Sequence, residues 1–162
     1  GYANSRARLR MATLYQVAAA NNGIVVGTGN KVEDFGVGFY TKYGDGGVDI
    51  SPIADCTKTQ VWELGRHLGI SDDIVNTPPT DGLWEDGRTD EDQLGGLTYP
   101  QMERAMTLDE LNAIPVGPDE ELLRTYRKIR SKNLHKMEPI PVFKVNNYGE
   151  SMNIEFDKEK NQ

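Results

Sequence analysis

Three β-branched apolar residues, Ile24-Val25-Val26, stop abruptly at Gly27-Thr28-Gly29-Asn30, and this junction restricts the fold more than any other stretch. Such a run suits a strand buried on both faces, as in a parallel sheet. A glycine-rich turn at the C-terminal end of a strand is where open α/β sheets bind ligands. A second glycine cluster, Gly44-Asp45-Gly46-Gly47, follows between Lys42 and Asp49. Ile50 to Ile53 reads as another short strand. The expected fold class is therefore α/β, a parallel sheet flanked by helices. Two loops rich in Thr, Glu, Lys and Asp, separated by one short helix, have the makings of a small-molecule site.

Charge and cysteine content narrow the partners. The 162 residues carry a net charge of −7. A negative surface repels phosphate backbones and anionic lipid, so neither nucleic acid nor a membrane is an expected partner. Any anionic ligand has to be met by a few local cations. No apolar run approaches the roughly 20 residues of a membrane span. Cys56 is the only cysteine, which excludes an intrachain disulfide and points to a reducing, cytoplasmic setting. The hydrophobic content of 37% is low for a self-sufficient core, and the expectation is a partial domain over residues 1–145 with a polar tail over 146–162.

Helical signals cover much of the remainder. Residues 5–21 place Met11, Leu14, Tyr15 and Ala18 on one face, and Asn22-Gly23 offers a left-handed exit. Asn30, with Glu33 three residues on, approximates a capping box. Asp55 is the expected cap of a helix over 56–68 closed by Gly69, with Cys56 as a small buried residue. Ser71 caps a short turn to Val75. Thr77-Pro78-Pro79-Thr80 reads as a rigid extended segment. Residues 81–96 read as an acidic, glycine-rich loop, either solvated or a lid that orders over a ligand. Helices are expected over 99–106 and from Pro118 to about Lys132, followed by a loop holding His135 and Lys136.

Several side chains have two readings. Glu33 either reaches back to its own helix start or holds a magnesium ion. Lys58 lies in a first helical turn, where the dipole disfavours a cation, so it points either to water or to a bound anion. Arg6, Arg8 and Arg10 are either solvated or include one that points into the cleft. Gly27-Thr28-Gly29 does not continue as a dinucleotide fingerprint, because position 32 is Val. No P-loop motif occurs.

Taken together, the stretches ARLRM (7–11), VVGTGNKVE (25–33), FYTKYGDGGVD (39–49), PIADCTKTQ (52–60), PPTDGLW (78–84), TDEDQLG (89–95) and His135-Lys136 resemble the NAD synthetases, mainly the ammonia-dependent type. The likeness covers residues 6–141. It implies an adenine-nucleotide α-hydrolase-like fold, a homodimer, and ATP-dependent amidation of deamido-NAD to NAD through an adenylated nicotinate carboxylate. It implies that Thr28, Lys58 and Thr80 contact ATP, that Glu33 holds Mg2+, and that Arg8, Lys42, Asp49, His135 and Lys136 bind deamido-NAD. It also implies that Asp34–Gly38 is one residue longer than in some relatives. No side chain stands out as a general base. The family's Ser-Gly-Gly-x-Asp-Ser phosphate loop is not found in this chain, so the fragment alone is expected to be inactive. Two alternatives stay open: a non-catalytic piece keeping a dimer surface and a dinucleotide site, or another ATP-pyrophosphatase amide ligase.

Overall fold

The computed structural model describes residues 1–143. The expected tail from Asn146 lies outside the described residues. Six α-helices and one π-helix follow in order: α1 (Tyr2–Ala20), the π-helix (Val32–Val37), α2 (Lys58–His67), α3 (Asp72–Val75), α4 (Asp90–Gln93), α5 (Tyr99–Glu110) and α6 (Pro118–Met137).

The core is helical. On α5, Tyr99, Met102, Ala105 and Met106 recur at three- and four-residue spacing and are buried, as one helix face requires. They pack with Leu123 and Tyr126 of α6, with Val32 and Val37 of the π-helix, and with Leu94. Phe39, Trp62 and Ile129 close the rim of this cluster.

The sheet is much smaller than expected. Among the described residues it amounts to one parallel bridge, Val26 to Ile50. Gly27 N–H donates to Ile50 O at 2.7 Å, and Asp49 N–H donates to Val25 O at 2.9 Å. Val25 is 7% exposed, but Ile24 and Val26 are 60% and 53% exposed, so the run buries alternate residues rather than both faces. The second run ends early because Pro52 has no N–H to continue a ladder, and residues 52–55 form a turn.

Local chemistry explains the other departures. On α1 the covered side is Ala7, Met11, Tyr15 and Ala18, whereas Leu14 is exposed. Ala7 and Met11 lie against the Gly44–Gly47 loop, where a Cβ on Gly44 would meet Ala7 at 2.9 Å. The left-handed exit of α1 falls on Asn22, φ +53°. Helix α2 starts at Lys58 and not at Cys56. Its cap is Thr57, whose hydroxyl accepts from Gln60 N–H while Gln60 answers to Thr57 N–H, a reciprocal pair that outcompetes Asp55 two residues earlier. Asp55 instead faces Lys31 at 3.7 Å, and Cys56 is only half-buried. Helix α6 runs five residues past Lys132, because nothing in Asn133–Met137 breaks a helix before Pro139 forces Glu138 to extend. Within 81–96, Asp90–Gln93 form a helical turn capped by Thr89, and Leu94 is buried in the core.

Candidate functional site

The π-helix sits at the centre of the site. Asn30 Oδ1 accepts from the N–H groups of Val32 and Glu33 at 3.0 and 3.1 Å. Glu33 Oε2 accepts from Asn30 N–H at 3.3 Å, so the capping reading of Glu33 is realised. Its other oxygen is still engaged across the fold. Glu33 Oε1 accepts from Lys58 Nζ at 3.1 Å and from the Tyr99 hydroxyl at 2.5 Å. Lys58 also stands 4.7 Å from the centre of the Tyr99 ring. The ion pair is largely shielded, with 18% and 13% of the two side chains exposed.

Three donors from α6 hold the far end of the π-helix. Arg130 donates to Phe35 O and Gly36 O, Asn133 Nδ2 donates to Val37 O at 2.9 Å, and Lys136 Nζ donates to Gly38 O and Tyr40 O at 2.8 and 2.7 Å. Helix C-terminal carbonyls lack internal partners, and cations suit them. Gly38 leaves the helix at φ +65°, and a Cβ there would meet Asn133 Cβ at 2.7 Å. Only glycine fits both demands.

A cavity of about 440 Å³ opens above these residues, within the size range of small-molecule sites. Thr28, Glu33, Lys58, Thr80 and Lys136 all line it, together with Arg10, Tyr40, Asp45, Trp84 and Asp90. A second hollow of about 190 Å³ adjoins it, sharing Tyr40, Asp45 and Lys136. The remaining sequence candidates are not among the lining residues. Arg8 Nε donates to Lys42 O at 3.3 Å. Lys42 Nζ donates to the carbonyl of His135. Asp49 binds Val25 N–H at 2.7 Å and the Tyr15 hydroxyl at 3.2 Å, holding α1 against the first apolar run. His135 and Lys136 occupy the last turn of α6, not a loop, and only Lys136 reaches the cavity.

The acidic groups here are perturbed. Burial, then the nearby Glu33 and Asp45, push Asp34 up to about 6. Burial also raises Asp90, and Glu33 adds to this, against a lowering from its hydrogen bond to Tyr99. Asp90 Oδ2 accepts from the Tyr99 hydroxyl at 3.1 Å, while its Oδ1 is buried with no partner. Burial depresses the Lys136 ammonium. Sequence reading missed Tyr99, Asp90 and Asp34. Thr89-Asp90-Glu91-Asp92 did carry a capping signal that could have placed Asp90 at a helix start, but nothing local to Tyr99 reveals that its partner Glu33 lies far upstream in the chain.

Magnesium was expected at Glu33. Among the described residues no three His, Cys, Asp or Glu side chains converge as a metal group. Magnesium commonly takes only one or two carboxylates and completes its shell with water and phosphate oxygens. Glu33, joined to Asp90 through the Tyr99 hydroxyl and lining the same cavity, fits that donor set. Among the described residues no helix is long and apolar enough to cross a membrane.

Comparison with known proteins adds to this geometry. A family model described as NAD synthase matches residues 2–140. The NH(3)-dependent NAD(+) synthetase of Carboxydothermus hydrogenoformans is 43% identical over 134 residues, covering 83% of this chain and 51% of the relative. That of Sulfolobus acidocaldarius is 40% identical over 160 residues, covering 94% and 56%. Among solved structures, the NMN synthetase from Francisella tularensis aligns with a TM-score of 0.72 at 36% identity, over 90% of this chain and 56% of that one. The NH3-dependent NAD synthetase from Campylobacter jejuni, in complex with the nitrate ion, gives 0.61 at 26%, over 87% and 54%. The chain thus spans about half the length of the relatives it matches.

Proposed function

The chain belongs to the NAD synthase family, and we propose that it forms part of an ammonia-dependent ligase that amidates deamido-NAD at the expense of ATP. The observation that carries this is the convergence of Thr28, Glu33, Lys58 and Thr80 on one cavity, although they come from four separate segments. The reaction has two steps. A nicotinate carboxylate oxygen attacks the α-phosphorus of ATP and pyrophosphate leaves. Ammonia then attacks the acyl carbon, AMP leaves, and the nitrogen sheds a proton to solvent. Lys58 and Thr80 bind and orient the triphosphate, and the Lys58 ammonium offsets charge that grows on the leaving pyrophosphate. Thr28 offers a hydroxyl at the end of the first apolar run. Lys136 supplies a cation for the second nucleotide. Glu33 would hold magnesium, which when bound would supply further charge neutralisation at the phosphates.

The phosphate loop expected upstream is not in this chain, so the piece alone is proposed to be inactive, and the full-length protein is the object to assay. The proposed assembly is a homodimer, supported by the outward apolar side chains Tyr2, Leu9 and Val17 of α1. AMP release should require ATP, deamido-NAD and ammonia together, and Lys58→Ala should lower the rate by about a hundredfold. AMP release that does not depend on deamido-NAD would refute the reading.

A second reading concerns the acid. Of the five residues assigned to deamido-NAD, only Lys136 lines the cavity, and the neighbour at TM-score 0.72 is named an NMN synthetase. On that reading nicotinate mononucleotide is the acid amidated. Comparing kcat/KM for the two acids decides between them.

A further inference from the structure

The carboxyl of Asp90 is buried beside another acid, and half of it has no partner. Asp90 is 6% exposed and lines the cavity with Glu33. Its Oδ2 takes the Tyr99 hydroxyl at 3.1 Å, and the same hydroxyl lies 2.5 Å from Glu33 Oε1. Tyr99 has one proton to give, so it cannot fully satisfy both acids. The only cation on the pair among the described residues is Lys58, which contacts Glu33 and the Tyr99 ring. A buried carboxylate oxygen without a donor forfeits its hydration with nothing in return, so such an atom calls for an explanation. Lys58 cannot supply it, because its bond goes to Glu33.

We propose that Asp90 is a second anchoring carboxylate for the divalent cation at Glu33, and that Tyr99 is the positioning residue that ties the two acids into one cradle. The inference rests on the reading of Glu33 as the metal residue. One oxygen from each carboxylate, with phosphate and water completing the shell, matches what magnesium accepts. Tyr99 contacts no open space itself. It is buried between the two acids and fixes their oxygens relative to each other, as outer partners of metal ligands do. Asp90 opens α4 and meets Glu33 only through the Tyr99 hydroxyl, so cation binding would tie residues 81–93 to the Glu33 turn.

Manganese alone, counted by the loss of the free-ion paramagnetic resonance signal, tests this on the full-length protein. Asp90→Asn should weaken manganese binding by more than about tenfold, and Tyr99→Phe by about tenfold. The thermal midpoint gives the second readout. Asp90→Asn removes an unpaired buried charge, so the metal-free midpoint should hold or rise, while the upward shift caused by manganese in the wild type should vanish. A structural role alone would lower the metal-free midpoint and leave the manganese shift in place. Glu33→Gln separates the two ideas. Loss of binding in Glu33→Gln but not in Asp90→Asn overturns the role of Asp90 and keeps Glu33. Unchanged binding in Glu33→Gln, or no binding by the wild type, overturns the metal reading of Glu33 and this inference with it.

Discussion

Glu33 is bonded on both oxygens, to Asn30 N–H on one side and to Lys58 and Tyr99 on the other. Its capping role and its cavity role are therefore not alternatives, because one carboxylate has room for both. Lys58→Met should strand a largely buried negative charge and destabilise the protein by about 3 kcal/mol. Adding Glu33→Gln should restore part of that loss, and a double-mutant cycle on chemical denaturation measures the coupling. Additive losses would show that the pair does not interact. Asp34 offers a pH test. Its folded value, about 6, lies above the ordinary 3.8. A carboxyl raised on folding contributes stability that is full below the unfolded value and is lost as pH rises through the folded one. Asp34→Asn should thus match wild type near pH 4 and be the more stable above pH 6 in metal-free buffer, as read from thermal midpoints across that window.

The π-helix is the element on which the site turns, and its wide coil has a plain use. A π turn takes up one residue more than an α turn. The coil keeps Val32 and Val37 in the core while Glu33 faces the cavity. Gly38→Ala should cost roughly 1–2 kcal/mol for its left-handed backbone alone, and more for the contact with Asn133, with α6 loosening in hydrogen exchange before α5. Met102→Ala, in the centre of α5, should cost about 2–5 kcal/mol without changing ligand affinity; a loss of affinity would tie α5 to the cavity more tightly than its packing implies. Elements of this kind were legible where their signals are local. The Asn30–Glu33 cap follows from a three-residue spacing, and the start of α6 follows from a proline at its first position with acidic residues behind it. The α2 boundary was missed because Asp55 and Thr57 are both good caps, and only Gln60 decides between them. The loop assigned to His135-Lys136 ignored the absence of any breaker before Pro139. Of the expected sheet the described residues hold one parallel bridge, because three β-branched residues announce a strand without announcing its partners. Among the site residues, Thr28, Glu33, Lys58 and Thr80 came from motif resemblance and do meet in space. Arg8, Lys42 and His135, from the same source, meet one another through Lys42 outside the lining of that cavity, while Asp49 binds Val25 N–H and the Tyr15 hydroxyl.

At the scale of the whole molecule, the chain's start is fastened to its acidic middle by two arginines. Arg6 Nη1 donates to Leu83 O at 3.0 Å, and Arg6 pairs with Glu85 at 3.3 Å. Arg10 Nη2 donates to Gly82 O at 3.4 Å. Within the loop, Trp84 Nε1 donates to Gln93 Oε1 at 2.9 Å, and Arg88 stacks over the Trp84 ring at 4.2 Å. These contacts are exposed. An exposed ion pair contributes about 1 kcal/mol at most and is screened within roughly 10 Å at 0.1 M salt. Segment 82–88 should therefore lift from α1 at little cost, while Leu94, buried in the core, anchors its end. Trypsin cleavage after Arg88 measures the lifting, since a protease cuts the opened form in proportion to its population. Cleavage should quicken with salt and should quicken about fivefold in Arg6→Ala/Arg10→Ala, the effect of about 1 kcal/mol lost. Added ATP should slow it if the loop closes over a bound triphosphate. Cleavage that ignores both salt and the two arginines would mean that Trp84 and Arg88 hold the loop by themselves. In that case α1 would line the cavity without holding the loop over it.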